Sequence, residues 1–295
     1  MPELPEVETV CRTLRPRLVG RTVTGVRLLR PFVANCAPAE FAERVGGRRV
    51  EGVRRRGKYI VIELGASPGR PPDDLIFHLM MAGRLGHRPP GAAPPDPVEA
   101  KHTHAVFTLD DRSELAWADL RHFGRIHLVP RHQPEAIPPG LAALGPEPLA
   151  AGFTAARLAS ILRRRRAPLK LVLLDQAAVA GLGNIYADES LHRAGLHPLR
   201  PACSLDPGEV RALHRSLRAA LREAIASGGT TLRTYVDGEG RRGAFQARLR
   251  VYGRTGKRCA RPGCEGTVER VRVGGRSTHF CPLCQPPRTA VRNSR

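Results

Sequence analysis

The sequence predicts an α+β protein of several domains, and three observations predict it. An amphipathic helix opens the chain and is followed by roughly a hundred residues of short, β-rich segments. Residues 154–227 then carry a helical pattern. Two cysteine pairs around a hairpin signal come last. At 295 residues there is room for two domains with separate cores, and 41% hydrophobic content is ordinary for globular protein.

In residues 5–19, Val7, Val10, Cys11, Leu14 and Leu18 recur at helical spacing, and Gly20 supplies a stop. Pro5 suits a first helical turn, and Glu3, Glu6 and Glu8 suit the positive end of the helix dipole. Segments 23–29, 59–64, 75–79, 105–109 and 126–129 read as strands with no helix between them. That pattern points to a sandwich or barrel-like domain over residues 1–133, with Pro-rich surface loops at 67–72 and 89–97. Residues 134–150, around Pro138-Pro139-Gly140, form a linker.

The helical domain covers residues 151–255, with Leu213, Leu217, Leu221 and Ile225 on one face of a helix over 210–226. Ala180-Gly181-Leu182-Gly183-Asn184 is a glycine turn opening a helix. Its free amides suit a phosphate, and the same turn serves equally as a plain corner between helices. Residues 228–250 are rich in Gly and Arg and read as a loop. A ribbon over 256–288 and a basic, disordered tail over 289–295 complete the chain.

The cysteine spacing is Cys259-x4-Cys264, sixteen residues, then Cys281-x2-Cys284, with strands at 267–273 and 277–280 around Gly274-Gly275. Four thiolates in that arrangement hold one zinc ion tetrahedrally. The site is closed, so the metal is structural. Cys11, Cys36 and Cys203 are scattered, which fits metal binding in a reducing compartment and not a disulfide framework.

There are 48 Lys+Arg against 27 Asp+Glu, a formal charge of +21, and the pI is about 11.2. Such an excess calls for a polyanionic partner, nucleic acid before an acidic membrane surface. The arginine run at 163–166 suits bidentate phosphate contacts. With 4% aromatics, the chain is poorly equipped to stack single-stranded bases. No apolar run approaches the roughly 20 residues that span a bilayer, and no signal peptide opens the chain, so an intracellular protein without a membrane partner is expected.

Once Met1 is removed, Pro2 becomes a secondary amine beside a carboxylate. With an α-amino pKa of about 8, part of it is unprotonated at neutral pH and can attack a masked aldehyde to give an iminium. Read locally, the same residues are simply a helix start.

Taken together, these segments resemble the formamidopyrimidine-DNA glycosylase family. The resemblance runs through PELPEVET at the start, RRRGKY around Lys58, HLMMAGRL around Met81 and DLRHFG at 119–124. It continues through GLGNIYADE at 181–189, GGTTL at 228–232, VYGR at 251–254 and the terminal ribbon. It implies a monomeric bacterial base-excision repair enzyme, cytoplasmic and nucleoid-associated, with glycosylase and AP lyase activities. Such an enzyme excises 8-oxoguanine and formamidopyrimidines from double-stranded DNA after flipping the nucleotide out. It also implies an N-terminal β-sandwich, a helix–two-turn–helix motif in the helical domain, a DNA cleft between the two, and one structural Zn2+.

Carried onto this chain, the resemblance makes Pro2 the Schiff-base nucleophile, Glu3 the proton-handling group and Glu6 its support. Lys58 serves β-elimination, and Arg276 serves δ-elimination at the phosphate flanking the lesion, which Asn184 also binds. Met81, Arg121 and Phe123 fill the gap left by the flipped base, while His102 and Arg165 contact DNA. Read alone, Lys58 is a strand-edge lysine and Arg276 a solvated turn arginine. Met81 and Phe123 read as core residues, and His102 and Arg165 as surface residues.

Three departures stand out: four residues between the first cysteines where the family usually has two, Met80 in place of glycine, and His122 in place of a second arginine. The alternatives are an endonuclease VIII-like preference for oxidised pyrimidines, whose branch typically opens PEGPE, and a catalytically silent lesion binder. The silent reading predicts loss of Pro2, Glu3 or Lys58, and all three are present.

Overall fold

The structure, a computed structural model, describes residues 1–95, 97–131, 133 and 136–287; the tail expected at 289–295 lies outside the described residues. The chain divides into two compact units: Met1–Ala142 with Ser227–Ala244, and Ala143–Ala226 with the chain from Phe245 onward. The sequence-based bounds differ here, because they gave the whole of 151–255 to the helical domain. Segment 227–244 is poor in periodicity and follows a long helix, so nothing local assigns it to the first unit.

In the first unit, α1 (Leu4–Leu18) is followed by β1 (Val23–Leu28), α2 (Pro38–Val45), β2 (Val50–Arg56), β3 (Tyr59–Leu64), β4 (Asp73–His78) and β5 (Gly83–Arg88). Then come α3 (Pro97–Lys101), β6 (Thr103–Leu109), β7 (Glu114–Asp119), β8 (Arg125–Pro130) and α4 (Pro139–Ala142). The strands make two antiparallel four-stranded sheets, ordered β1-β6-β7-β5 and β2-β3-β4-β8. Their inner faces share one core with the apolar stripe of α1. Phe77 of one sheet packs against Phe107 and Trp117 of the other at ring separations of 6.1 and 5.5 Å. The domain is therefore a sandwich and not a barrel.

The expectation of no helix among the strands is corrected by α2, which buries Phe41 and Val45 in the core. On the outer face of the second sheet, Val61, Ile76 and Val129 are covered by Ile137 and Leu141. The expected linker thus packs on the sandwich in part.

The second unit contains α5 (Ala155–Arg163), α6 (Leu169–Leu174), α7 (Asn184–Ala194) and α8 (Pro207–Ala226), then the hairpin β9 (Glu269–Val273) and β10 (Arg276–Phe280). Thr154 caps α5 by accepting the Arg157 N–H at 3.1 Å. Leu213, Leu217 and Leu221 of α8 are fully buried. Gly181, at φ +83°, makes the tight turn before α7, and the Gln176 side chain clamps it by accepting the Gly181 N–H and donating to Leu182 O. Gly274 and Gly275, both at positive φ, form the hairpin turn, so Arg276 opens β10 opposite Val273 and does not sit in the turn itself.

Candidate active site and zinc centre

Pro2 is buried at the mouth of α1. Glu3 is the N-cap, and the first turn closes as a capping box in which Glu6 Oε2 accepts the Glu3 N–H at 2.8 Å. The other oxygen of Glu6 accepts the Thr230 N–H at 2.7 Å. Glu3 and Glu6 are only 3% and 2% exposed, so these carboxylates are placed by structure and not by solvent. Tyr235 closes the arrangement, donating from its hydroxyl toward Glu6 O at 3.2 Å and Gly228 O at 3.1 Å. Burial, helped by the Glu6 carboxylate, pushes the Tyr235 phenol up and keeps it a donor.

Lys58 follows Gly57 (φ +57°) in the tight β2–β3 turn and is 6% exposed. Arg55, just before it, pairs with Glu8 of α1 at 3.1 Å. Burial first, then the Lys58 ammonium, push His78 down to about 4. The neutral His78 ring accepts the Met80 N–H on Nδ1 at 3.1 Å. Met80 itself stands at φ +48°, in the left-handed region that favours glycine.

Met81, Arg121 and Phe123 are brought together. Arg121 Nη1 lies 3.1 Å from Met81 Sδ, and its guanidinium sits 5.0 Å from the Phe123 ring centroid. Met81 and Phe123 are 46% and 48% exposed, which removes the reading of either as core. Buried Asp119 shapes the loop by accepting Arg121 N–H on Oδ1 at 3.0 Å and Gly124 N–H on Oδ2 at 2.7 Å. His102 is half-buried beside this loop, its ring 5.5 Å from that of His122.

In the second unit, Asn184 is the first residue of α7 and donates from Nδ2 to Ser277 O at 2.8 Å, next to exposed Arg276. Arg165 lies beyond the end of α5 and pairs with Asp175 at 2.5 Å. The sequence reading missed a buried network that seats β10 on α7. Lys170 Nζ reaches Asp188 Oδ1 at 2.7 Å and Ser277 O at 2.8 Å, while Asp188 Oδ2 accepts the His279 N–H at 2.8 Å. The available signal was a lone lysine in the apolar run LKLVLL.

Cys259, Cys264, Cys281 and Cys284 converge with all four Sγ atoms within 4.8 Å of one another. Zinc–sulfur bonds of about 2.3 Å in a tetrahedron put sulfurs about 3.8 Å apart. The Cys259–Cys284 and Cys264–Cys281 pairs are at 3.8 and 3.7 Å. A Cβ at Gly266 would fall 2.5 Å from Cys281 Sγ, so the backbone here packs directly against the sulfur cluster. These residues fit one structural zinc with no position left for substrate. The four-residue knuckle also carries Arg261, which donates to His192 O at the end of α7.

The Formamidopyrimidine-DNA glycosylase N-terminal domain profile matches residues 1–126, its H2TH domain profile residues 144–236, and the zinc finger found in FPG and IleRS residues 256–287. A formamidopyrimidine-DNA glycosylase of Chloroflexus aurantiacus is 46% identical over 290 residues, covering 97% of this chain and 98% of that protein. Lactococcus lactis Fpg (MutM), solved with N7-benzyl-Fapy-dG-containing DNA, superposes with a TM-score of 0.84 at 36% identity over 97% of this chain and 100% of its own. The same protein solved with DNA containing an oxidised pyrimidine gives 0.84 at 35% identity, covering 97% and 100%. On sequence, fold and zinc-ligand geometry together, the chain belongs to the formamidopyrimidine-DNA glycosylase family.

Proposed function

We propose that the chain is a base-excision repair glycosylase and AP lyase that removes oxidised purines, 8-oxoguanine and formamidopyrimidines, from duplex DNA. The observation that carries this reading is the start of α1, where Pro2 and Glu3 are buried and Glu6 accepts the Glu3 N–H on one carboxylate oxygen and the Thr230 N–H on the other. A nucleophile placed this way supplies orientation before it supplies reactivity.

After loss of Met1, the Pro2 nitrogen attacks C1′ of the flipped nucleotide and the glycosidic bond breaks, its electron pair leaving with the base. Glu3 protonates the ring oxygen as the sugar opens to the iminium. Lys58 acts in loss of the C2′ proton and expulsion of the 3′ phosphate. Arg276 and Asn184 contact the phosphate flanking the lesion, and Arg276 assists the second elimination, which expels the 5′ phosphate. His102 and Arg165 add backbone contacts that position and do not specify.

Met81 and Phe123 supply the apolar wedge that replaces the lost base, and Arg121 faces the orphaned partner. Cytosine offers two adjacent acceptors on its Watson–Crick edge, whereas adenine sets one acceptor beside a donor. A guanidinium, which only donates, therefore favours cytosine. The protein works as a monomer on nucleoid DNA in the cytoplasm. A second reading, preference for oxidised pyrimidines, draws on the Lactococcus lactis relative solved with such DNA.

Borohydride trapping on a duplex carrying 8-oxoguanine opposite cytosine tests the proposal, after mass spectrometry shows that Met1 is gone. The expected result is a covalent adduct mapping to Pro2, with Glu3→Gln losing base release while still binding DNA. Wild-type base release by Glu3→Gln would remove Glu3 from the mechanism. Faster release of thymine glycol than of 8-oxoguanine would favour the pyrimidine reading.

A further inference from the structure

Beneath the loop carrying Arg121 and Phe123 lies a pair of imidazoles that the proposed reaction does not use. His104, on β6, is fully buried, and its Nε2 stands 2.9 Å from Nδ1 of His122, an exposed loop residue. The two rings are inclined by only 9°. His122 adopts φ +57°, a conformation that costs energy for any residue with a Cβ. Three interactions oppose that cost: His122 N–H to Asp119 O at 3.3 Å, Arg125 Nη1 to His122 O at 3.1 Å, and the imidazole bond. The first two involve only the backbone of residue 122 and are open to any residue there. Only the third needs the side chain.

A bond between two imidazoles requires one ring to accept, and that ring must be neutral. Burial chiefly, then the neighbouring His122, hold His104 down at about 4, so it is neutral at working pH. The other groups around the pair act in both directions. Asp119 opposes the shift, Arg30 and His102 reinforce it, and the edge of Phe32 packs on His104 at 5.8 Å under the Arg125 guanidinium.

We propose that the His104–His122 pair is a positioning element for Arg121 and sets how strictly the protein reads the base opposite the lesion. The inference rests on the functional reading in which Arg121 faces the orphaned base. Arg121 is anchored on its N-terminal side, where its own N–H meets Asp119. On its C-terminal side the peptide plane is turned by the left-handed His122, and His104 holds that turn from the core. Two parallel bonds from a guanidinium to cytosine tolerate little displacement, so loss of the turn lowers discrimination before it lowers chemistry.

The experiment compares 8-oxoguanine excision opposite cytosine and opposite adenine for the wild type, His122→Gly, His104→Leu and His122→Asn. Glycine relaxes the backbone but deletes the bond, whereas asparagine tolerates the left-handed region and restores a polar partner. The expected result is a cytosine-over-adenine ratio lowered about threefold or more in His122→Gly and His104→Leu, with His122→Asn keeping the wild-type ratio. An unchanged ratio in His122→Gly overturns the proposal, as does His122→Asn behaving like glycine. His104 is buried, so if His104→Leu does not fold, the exposed His122 variants decide alone. Wild-type protein that releases 8-oxoguanine from neither duplex overturns the functional reading instead.

Discussion

Met80 holds a left-handed backbone that its side chain disfavours, and the His78 ring braces it there. A residue with a Cβ in that region costs about 1–2 kcal/mol, while an added glycine costs about 0.5–1 kcal/mol in the unfolded chain. Met80→Gly is therefore expected to gain about 0.5–1 kcal/mol, read as a raised midpoint in urea. His78 and His104 make a second residue-scale prediction. Both are held neutral down to about 4, against 6.5 for the free side chain, so the unfolded chain takes up protons that the folded one refuses. Their contribution is complete above about 6.5 and is lost as pH falls through that window toward about 4. Thermal melts across that range, with zinc content followed in parallel, should show the midpoint falling; a flat profile would mean that these rings are not held neutral. None of this was visible in sequence, where Met80 and His122 registered only as departures from a pattern and a φ angle cannot be read.

At the scale of elements, legibility followed periodicity. Strand β3, YIVIEL, was bounded correctly because it is β-branched and bounded by turn signals. Strands β2 (VEGVRRR), β5 (GRLGHR) and β7 (ELAWAD) were missed, since each mixes glycine, charge or alanine into the run. Helix α2 is only eight residues long and buries just two of them, too little for a helical stripe to stand out. The hairpin and its cysteines were legible because turn chemistry and ligand spacing are local. What seats that hairpin was not: Lys170, Asp188 and His279 are far apart in sequence and meet only in the fold. Helix α7 buries Asp188, Glu189 and His192, and each has a partner, Glu189 taking the N–H groups of Arg250, Val251 and Tyr252. In the ribbon, Gly266→Ala is expected to push a methyl into Cys281 Sγ and to leave the purified protein with less than one zinc per chain, measured by chelator titration. Full zinc content would show that the knuckle can yield.

Across the whole molecule, the formal charge of +21 makes DNA affinity a function of salt. Log K should fall by about 0.9 per neutralised phosphate against log salt, so 6–10 contacts would cost about 10³–10⁵ in affinity between 50 and 200 mM. Fluorescence anisotropy over that range measures the slope, and a slope near zero would refute phosphate-dominated binding. Strand patterning alone left sandwich and barrel both open and the family resemblance implied the sandwich; the strand order bears that out through distant pairings such as Val23 with Leu109.

The return of Ser227–Ala244 to the first unit carries a consequence for biosynthesis. Glu6 waits for the amide of Thr230, 224 residues further along. At bacterial translation rates of about 5–20 residues per second, roughly 10–45 s separate the two on the ribosome. By the later part of that interval all the sandwich strands have been made, but the Glu6 carboxylate still lacks the Thr230 amide. On the proposed mechanism, a nascent chain therefore completes the setting of Pro2 late, after the α5–α8 helices have been made, and a truncated product ending before residue 230 is expected to carry Pro2 without the Thr230 amide that helps fix Glu6.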